Sequence, residues 1–247
     1  MRPPDAVFAD PRLAVLYDAL DDDRSDLDLY VEIVGEVSAR SVIDIGCGTG
    51  CLAVRLAALG VDVVGVDPAD ASLAVARRKQ LAERVTWVPG DATALAGLGL
   101  RADLAVMTGN VAQVFVSDAD WRQTLVAVRR SLRRGGWFAF ETRRPEVRDW
   151  ETWHVPPTKL AIPGHGAVVV SRTVTEVALP LVSFETVTIV GGERVPSSST
   201  LRFRSGREVE RDLTEHGFEV IDVRDAPDRP GKEQVFLARR APASTRA

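Results

Sequence analysis

The sequence has few of the residues on which membrane, secreted and metal-binding proteins depend. It has two cysteines, three histidines and no run of eighteen apolar residues, so no membrane-spanning helix is expected. Cys47 and Cys51 alone can build neither a disulfide framework nor a four-ligand zinc site. The opening residues, MRPPDAVFAD, lack the basic and apolar regions of a signal peptide. We therefore expect a cytoplasmic protein that has no metal centre and does not bind membranes.

An excess of positive charge is also missing. The formal net charge is −4, which argues against a broad electrostatic contact with nucleic acid phosphates. Hydrophobic residues make up 45% of the chain and charged residues 27%, as in ordinary globular proteins. The 247 residues allow one α/β domain with an addition, or two small domains.

Short apolar runs alternate with helical segments through the first half of the chain. Runs that are apolar on both faces and alternate with helices indicate a parallel sheet covered on both sides, a doubly wound α/β fold. The predicted strands are residues 41–45, 61–66, 85–88, 103–107 and 137–141. Residues 218–225 and 233–240 predict two more strands, giving a mostly parallel sheet of seven strands with the last antiparallel.

Two segments fall outside this alternation. Apolar positions in residues 11–39 predict two helices separated by Asp21-Asp22-Asp23, so residues 1–40 are predicted to form an N-terminal helical cover. Residues 150–203 are rich in β-branched side chains and show no helical period. We predict that they form an antiparallel β cap of about three strands, inserted after the fifth strand.

Two of the predicted helices have recognisable ends. Ser117, with Asp120 three residues later, resembles a capping box, and Gly135-Gly136 is expected to end the same helix. Ser205 and Glu208 form the same pattern at the start of the last helix.

The segment Asp44-Ile45-Gly46-Cys47-Gly48-Thr49-Gly50 follows the first predicted strand directly. Such a strand-to-helix turn presents backbone N–H groups and a helix N-terminus to a ligand. A dinucleotide site would read GxGxxG, but its third glycine is replaced here by Cys51 and the spacing is GxGxG. Asp44 would repel a pyrophosphate and attract an ammonium. The turn therefore argues against a dinucleotide.

On these residues the sequence resembles the class I S-adenosylmethionine-dependent methyltransferases, over about residues 42–141 and the final two strands. The resemblance implies S-adenosylmethionine as cofactor. It also implies that Asp67, 21 residues after Gly46, binds the ribose hydroxyls, for which an acceptor-only carboxylate is suited. In the segment Gly90-Asp91-Ala92-Thr93, Asp91 would accept a hydrogen bond from the adenine amino group, and the Ala92 N–H would meet a ring nitrogen.

The resemblance implies a set of cofactor-binding residues that extends beyond the glycine turn. Met107 and Thr108, at the end of the fourth strand, are expected along the adenosine and methionine parts of the cofactor. The implied set is Asp44, Gly46, Cys47, Gly48, Gly50, Asp67, Pro68, Asp91, Ala92, Met107, Thr108 and Tyr17. In this interpretation, residues 41–149 and 204–240 form the methyltransferase domain, and the cap at 150–203 lies on the substrate side.

The chain departs from the family pattern at two places. Arg134, in place of a frequent proline, precedes Gly135-Gly136. Met107-Thr108-Gly109-Asn110 lacks both the Asn/Asp-Pro-Pro-aromatic and the Pro-Cys signatures of nucleic acid base methyltransferases. We therefore expect no nucleic acid partner. Because the predicted cap and the N-terminal helices would enclose the acceptor, we expect methyl transfer to an O or N atom of a small molecule. Methylation of a protein or RNA, or a non-catalytic S-adenosylmethionine sensor, remains an alternative, and the oligomeric state is open.

Catalytic residues are not identified by any pattern, because methyl transfer needs a base only when the acceptor must lose a proton. The candidates are Tyr17, Asn110, Arg143 and His154. Tyr17 could close over the cofactor or belong to a helix core, and Asn110 could face the acceptor or a surface loop. Arg143 could meet an anionic group at the end of the fifth strand, and His154 could be a base or a solvated loop residue.

Overall fold

A computed structural model describes residues 3–242, which form a seven-stranded sheet and a separate four-stranded sheet. The strand order of the larger sheet is β10-β11-β5-β4-β1-β2-β3. Its strands are β1 (Ser41–Ile45), β2 (Asp62–Asp67), β3 (Val85–Pro89), β4 (Ala102–Met107), β5 (Leu132–Arg143), β10 (Phe218–Asp225) and β11 (Glu233–Arg240). The predicted doubly wound, mostly parallel sheet is confirmed.

Strand direction in the larger sheet follows from its connections. Strands β1 to β5 are parallel, while β11 pairs antiparallel with both β5 and β10. The chain runs outward from β1 to β3, then returns to place β4 on the other side of β1. This reversal of strand order opens a crevice at the carboxyl ends of β1 and β4, where ligands bind in open α/β sheets.

Helices cover both faces of the larger sheet and give it two core layers. The helices α5 (Cys51–Ala58), α6 (Asp70–Ala76) and α7 (Asp118–Ser131) follow β1, β2 and β4, and α8 (Gly206–Glu215) directly precedes β10. One core layer contains Phe138, Phe140 and Phe236, and the other contains Leu52, Leu56 and Leu104. Short 3-10 turns lie at Ser25–Leu27, Ala82–Arg84, Ala92–Leu98, Val111–Val114, Pro145–Val147 and Asp149–Thr152.

The predicted starts of α7 and α8 are confirmed, but the predicted end of α7 is wrong. The Ser117 side chain accepts a hydrogen bond from the Asp120 N–H, and Ser205 and Glu208 form a complete capping box. Helix α7 ends at Ser131, and Gly135-Gly136 lies inside β5. A Cβ at Gly136 would lie only 3.0–3.2 Å from three backbone oxygens, so this position requires glycine because β4 approaches closely.

The N-terminal segment consists of two parts that pack in different places. Three short helices, α1 (Ala6–Ala9), α2 (Pro11–Ala14) and α3 (Tyr17–Leu20), precede the acidic run, and α4 (Asp28–Glu36) follows it. The predicted break at the acidic run is therefore present. Helix α4 packs on the sheet through Ile33 and Val34, in the same core layer as Leu104. The residues of this segment that line the crevice all come from before α4, and they include Arg24, just after the acidic run.

The smaller sheet follows β5 and contains four antiparallel strands in sequence order. These are β6 (Val155–Ile162), β7 (Gly166–Ala178), β8 (Leu181–Val190) and β9 (Glu193–Arg202). The prediction of an antiparallel β cap is confirmed, but the expected number of about three strands is wrong. The fourth is the edge strand β6, which begins Val-Pro-Pro and has a register shift at these prolines. Prolines are tolerated there because the outer side of an edge strand donates no ladder hydrogen bonds.

The cap packs against both the larger domain and the N-terminal helices. Trp150 and Phe203, at its two connections, meet edge to face with ring centroids 4.7 Å apart. Leu16 packs with Ile162 and Val168 of the cap, and the Val7 N–H donates to the Ser197 hydroxyl at 2.9 Å. Among residues 3–242, no helix is both long and apolar enough to cross a membrane.

Candidate active site

A cavity of about 160 Å³ opens at the carboxyl ends of β1, β2, β3 and β4. Its walls come from the glycine turn after β1, the loops after the other three strands, and the N-terminal segment. None of the described residues that line it belongs to the β cap. The predicted position of the cap on the substrate side therefore has no support from this cavity.

The glycine turn forms one side of the cavity through Gly46, Cys47 and Gly48. Gly48 has a φ of 53°, in the left-handed region, and a Cβ placed there would meet no atom within 4 Å. Its missing side chain thus leaves open space, which lets a ligand approach the backbone. Burial raises the pKa of the Cys47 thiol, so that side chain remains protonated.

Gly50 has a different function from the one predicted. It does not line the cavity, and a Cβ there would lie 2.4 Å from the Trp87 ring. Its φ of 77° makes the left-handed turn that begins α5. Gly50 is therefore required for packing and for the turn, and the prediction that it binds the cofactor has no support from this cavity.

Asp44 lies at the end of the buried strand β1 and lines the cavity. Its Oδ1 is buried and has no hydrogen-bond partner. Burial, together with repulsion from Asp67, raises the pKa of Asp44 to about 7, although the nearby Arg24 opposes this shift. A buried acceptor of this kind is suited to a ligand that donates hydrogen bonds or carries positive charge.

Asp67 ends β2 and connects the second strand with the glycine turn. Its Oδ2 accepts a hydrogen bond from the Gly48 N–H, and its Oδ1 accepts one from the Ala69 N–H, both at 2.8 Å. Burial raises the pKa of Asp67, while these two backbone donors oppose the rise. Each carboxylate oxygen can accept a further hydrogen bond, so the side chain can still bind hydroxyl donors. Pro68 lines the cavity beside it.

The loops after β3 and β4 complete the far side of the cavity. Asp91 and Ala92 line it, and Asp91 Oδ1 accepts a hydrogen bond from the Thr93 N–H at 2.8 Å. Thr108 also lines the cavity, but Met107 is fully buried in the sheet core. The expectation that the Met107 side chain lies along the cofactor is thus corrected, because the last residue of β4 packs inward and the next one reaches the cavity.

The N-terminal segment covers the cavity with residues from before α4. Tyr17 lines the cavity, and its ring lies 5.5 Å from that of Phe8, another lining residue. Burial raises the pKa of Tyr17 to about 12, so the phenol is protonated at neutral pH. Tyr17 is therefore a wall of the cavity, and its raised pKa favours a packing function over that of a base.

The other three catalytic candidates do not line this cavity. His154 is exposed just before β6, and Arg143 donates to Gln113 Oε1 at 2.8 Å while its guanidinium lies over the Trp153 ring at 5.2 Å. Asn110 is buried, and its Nδ2 donates to Glu233 Oε1 at 2.9 Å. Arg143 does meet an anionic group at the end of β5, the carboxylate of Glu233 at 3.6 Å, but it lies outside this cavity, and the exposed His154 does not reach it either.

Sequence reasoning missed Arg24 and Phe8 as lining residues, and it missed a polar cluster beside the turn. Thr49 Oγ1 donates to Asp18 Oδ1 at 2.5 Å, and Lys79 Nζ lies 2.5 Å from the other Asp18 oxygen. These residues are 31 and 61 positions from Asp18, so no local pattern connects them. Phe8, the aromatic residue of AVFA, could have been predicted as a lining residue, because an N-terminal cover over the site was already expected.

The chain is similar to known methyltransferases in sequence. Residues 42–136 match the family model described as methyltransferase domain. A putative methyltransferase of Geobacillus sp. (strain WCH70) is 33% identical over 109 residues, 43% of this chain and 44% of that protein. A ubiquinone biosynthesis O-methyltransferase of Paraburkholderia phymatum is 27% identical over 121 residues, 49% of this chain and 52% of that protein. The chain thus spans about half the length of these curated relatives.

Solved structures share the fold over almost the whole chain. An S-adenosylmethionine-dependent methyltransferase from Clostridium acetobutylicum has a TM-score of 0.76 at 16% identity, covering 92% of this chain and 97% of that one. An amino pentose methyltransferase from Micromonospora echinaspora, involved in calicheamicin biosynthesis, has a TM-score of 0.72 at 21% identity, with coverage of 92% and 97%. In its glycine turn, its strand order and the match of residues 42–136, the chain is similar to the class I S-adenosylmethionine-dependent methyltransferases.

Proposed function

We propose that the protein transfers a methyl group from S-adenosylmethionine to an O or N atom of a small molecule. The main observation behind this proposal is the cavity at the reversal of strand order in the sheet. There the glycine turn lies beside the carboxylates of Asp44, Asp67 and Asp91. The comparisons support it, because the relatives and structural neighbours are named as methyltransferases.

The residues of the cavity fit this cofactor. The unpartnered Asp44 Oδ1 provides a buried acceptor, and Gly48 leaves space for a ligand beside the backbone. Asp44 would receive the cationic methionine part, Asp67 the ribose hydroxyls, and Asp91 with the Ala92 N–H the adenine. When bound, S-adenosylmethionine supplies a methyl group on a positively charged sulfur, which a nucleophile attacks in line.

The chain itself contributes positioning and exclusion of water. Val111 and Phe115 line the cavity with apolar surface, and Phe8 and Tyr17 close it from the N-terminal side. Positioning and desolvation can supply much of the rate acceleration in such a displacement. The protonated Tyr17 does not remove a proton, so an acceptor that needs a base would have to use another group.

A small acceptor is supported by the printed names of similar proteins. The Paraburkholderia relative acts in ubiquinone biosynthesis, and the Micromonospora neighbour is named as an amino pentose methyltransferase. The absence of a nucleic acid partner and the cytoplasmic location remain predictions from the sequence.

Isothermal titration calorimetry tests the cofactor assignment directly. We expect S-adenosylhomocysteine to bind with micromolar or tighter affinity and NAD to bind weakly or not at all. The reverse order would overturn the proposal. Tight binding without transfer to any small O or N nucleophile would favour a non-catalytic S-adenosylmethionine sensor instead.

A further inference from the structure

A second, smaller cavity of about 30 Å³ lies next to the first one. Gly109 lines both cavities, so the Gly109-Asn110 turn after β4 is their shared wall. The second cavity lies between α4, the end of β5 and the start of β11. Its volume accepts a group the size of a water molecule or an ammonium.

Three buried polar atoms of residues lining this cavity have no hydrogen-bond partner. They are Tyr30 Oη, Asn110 Oδ1 and Glu141 Oε2. The three residues are 3%, 5% and 6% exposed, so bulk water does not satisfy these atoms. Leaving buried polar atoms unpaired costs free energy, and native proteins usually satisfy them with a ligand or an ordered water.

The hydrogen bonds already formed around the cavity show which kind of group is missing. The Asn110 N–H donates to Glu141 Oε1 at 2.7 Å, and Asn110 Nδ2 donates to Glu233 Oε1 at 2.9 Å. The bond to a carboxylate fixes Nδ2 as the donor end of the amide, which leaves Oδ1 as an acceptor. A carboxylate oxygen and an amide oxygen only accept, whereas a tyrosine hydroxyl both accepts and donates. Acceptors therefore outnumber donors among these three groups, and the cavity is suited to a group that donates.

The charges around the cavity favour a cation over a neutral donor. Asp26, Asp228, Glu141 and Glu233 line it, with Arg229 as the lining cation. Arg229 binds Glu233 at 3.0 Å and Asp228 at 3.5 Å, and Arg143 Nε lies 3.6 Å from Glu233. Within residues 3–242, no ion pair includes Glu141. Its burial, opposed by the Asn110 N–H, raises its pKa to about 8, as expected of a carboxyl that lacks its own cation.

We propose that this second cavity binds a protonated amine, which donates hydrogen bonds to Tyr30 Oη, Asn110 Oδ1 and Glu141 Oε2. A primary ammonium has three N–H donors and no acceptor, which matches three unpaired acceptors. A hydroxyl or a water would bring fewer donors and no charge to Glu141. Gly109 is a wall of both this cavity and the cofactor site, so we assign the amine to the methyl acceptor. This assignment rests on the proposed function.

Ethylammonium chloride is a suitable probe, with ethanol and tetramethylammonium chloride as matched controls. Ethanol lacks the charge, and tetramethylammonium lacks the N–H donors. Titration of ¹⁵N-labelled protein should shift the Gly109 backbone amide and the Asn110 side-chain amide, with saturation, for ethylammonium alone. Equal shifts with ethanol, or shifts that never saturate, would overturn the amine site and indicate a water-filled cavity or adventitious binding.

Variants test whether the proposed residues bind the ethylammonium ion. Glu141→Gln keeps the shape and removes the charge, so ethylammonium affinity should fall about tenfold or more. Tyr30→Phe should weaken it roughly threefold, and it serves as a second test if Glu141→Gln folds poorly. Glu176→Gln, which removes an exposed carboxylate of the cap, is the matched control and should bind like the wild type. Unchanged affinity in both test variants would contradict the proposal.

S-adenosylhomocysteine titration of the same proteins separates the two proposals. If S-adenosylhomocysteine binds and ethylammonium does not, the amine site is wrong and the methyltransferase function stands. If ethylammonium binds with saturation and S-adenosylhomocysteine does not, the amine site stands and the proposed function fails.

Discussion

The backbone N–H of Gly48 donates a hydrogen bond of 2.8 Å to the carboxylate of Asp67. This contact joins the turn after β1 to the end of β2, so the residue proposed to bind ribose also holds the glycine turn in position. Asp67 supports the turn, and we expect it also to serve as an acceptor for the ribose hydroxyl groups.

Replacing Asp67 by alanine should weaken S-adenosylhomocysteine binding by about 1 to 3 kcal/mol, because a hydrogen-bonding carboxylate is lost. Isothermal titration calorimetry measures the change. Asp62→Ala, at the exposed start of the same strand, should bind like the wild type. Equal affinities of the Asp67 variant and the wild type would remove Asp67 from the ribose site.

Gly48→Ala and Gly60→Ala form a matched pair of variants. Comparing them distinguishes loss of space for the ligand from strain in the backbone. Both glycines have positive φ, 53° and 82°, and neither would place a Cβ within 4 Å of another atom. Each substitution should therefore reduce the free energy of unfolding by a similar amount, about 1 to 2 kcal/mol. Only Gly48 lines the cavity, so only its variant should lose S-adenosylhomocysteine affinity. Equal affinities in the two variants would show that the open space at Gly48 is not used.

The strands of the larger sheet could be predicted because their local patterns are strong. Residues 218–225 and 233–240 were predicted with the observed bounds, since turn residues flank both runs. The number of cap strands was predicted too low, and strand β6 shows why a local pattern can fail: Pro156 and Pro157 weaken it, and its position at the sheet edge makes them acceptable. That position is set by tertiary pairing, which a local pattern does not contain.

The residues that line the larger cavity could largely be predicted from the sequence, and the contacts around the second cavity could not. Asp44, Asp67 and Asp91 follow three successive strands, so the sheet rule alone brings them to one edge. Asn110 meets Glu141 and Glu233 across 31 and 123 residues of sequence. Their proximity depends on the antiparallel placement of β11 beside β5, and nothing in the spacing of these residues indicates it.

The free energy of unfolding should fall as pH rises through neutrality, in part because of Glu141. Burial raises the pKa of Glu141 from 4.5 to about 8, so in this window the folded state holds a proton that the unfolded state has released. The stabilising contribution of Glu141 is fully present below the pKa of the unfolded state and is lost as pH approaches 8. Over this window the free energy of unfolding falls with a limiting slope of about 1.4 kcal/mol per pH unit.

Urea unfolding of the wild type and Glu141→Gln between about pH 5 and pH 8 isolates this contribution. Asp44, whose pKa is raised to about 7, contributes in the same direction to both proteins and cancels in the difference. The wild type should lose stability relative to Glu141→Gln as pH rises. A difference that stays constant with pH would mean that Glu141 is ionised in the folded protein throughout this range.

Tyr17 should act through its ring, because its phenol, with a pKa of about 12, is protonated at neutral pH. Tyr17→Phe should keep the S-adenosylhomocysteine affinity and the pH profile of methyl transfer. Tyr17→Ala removes the wall that packs against Phe8 at 5.5 Å. It should weaken S-adenosylhomocysteine binding by about 0.5 to 1.5 kcal/mol, the range measured for aromatic contacts.

The comparison of the two Tyr17 variants distinguishes closure of the cavity from acid–base chemistry. Calorimetry at several pH values gives the affinities, and the pH dependence of kcat with any accepted substrate gives the profile. If Tyr17→Phe lost kcat and shifted the profile while binding S-adenosylhomocysteine normally, the phenol would take part in proton transfer. Loss of affinity in Tyr17→Ala alone, with an unshifted profile in Tyr17→Phe, would show that the N-terminal segment retains the cofactor by apolar closure over the crevice.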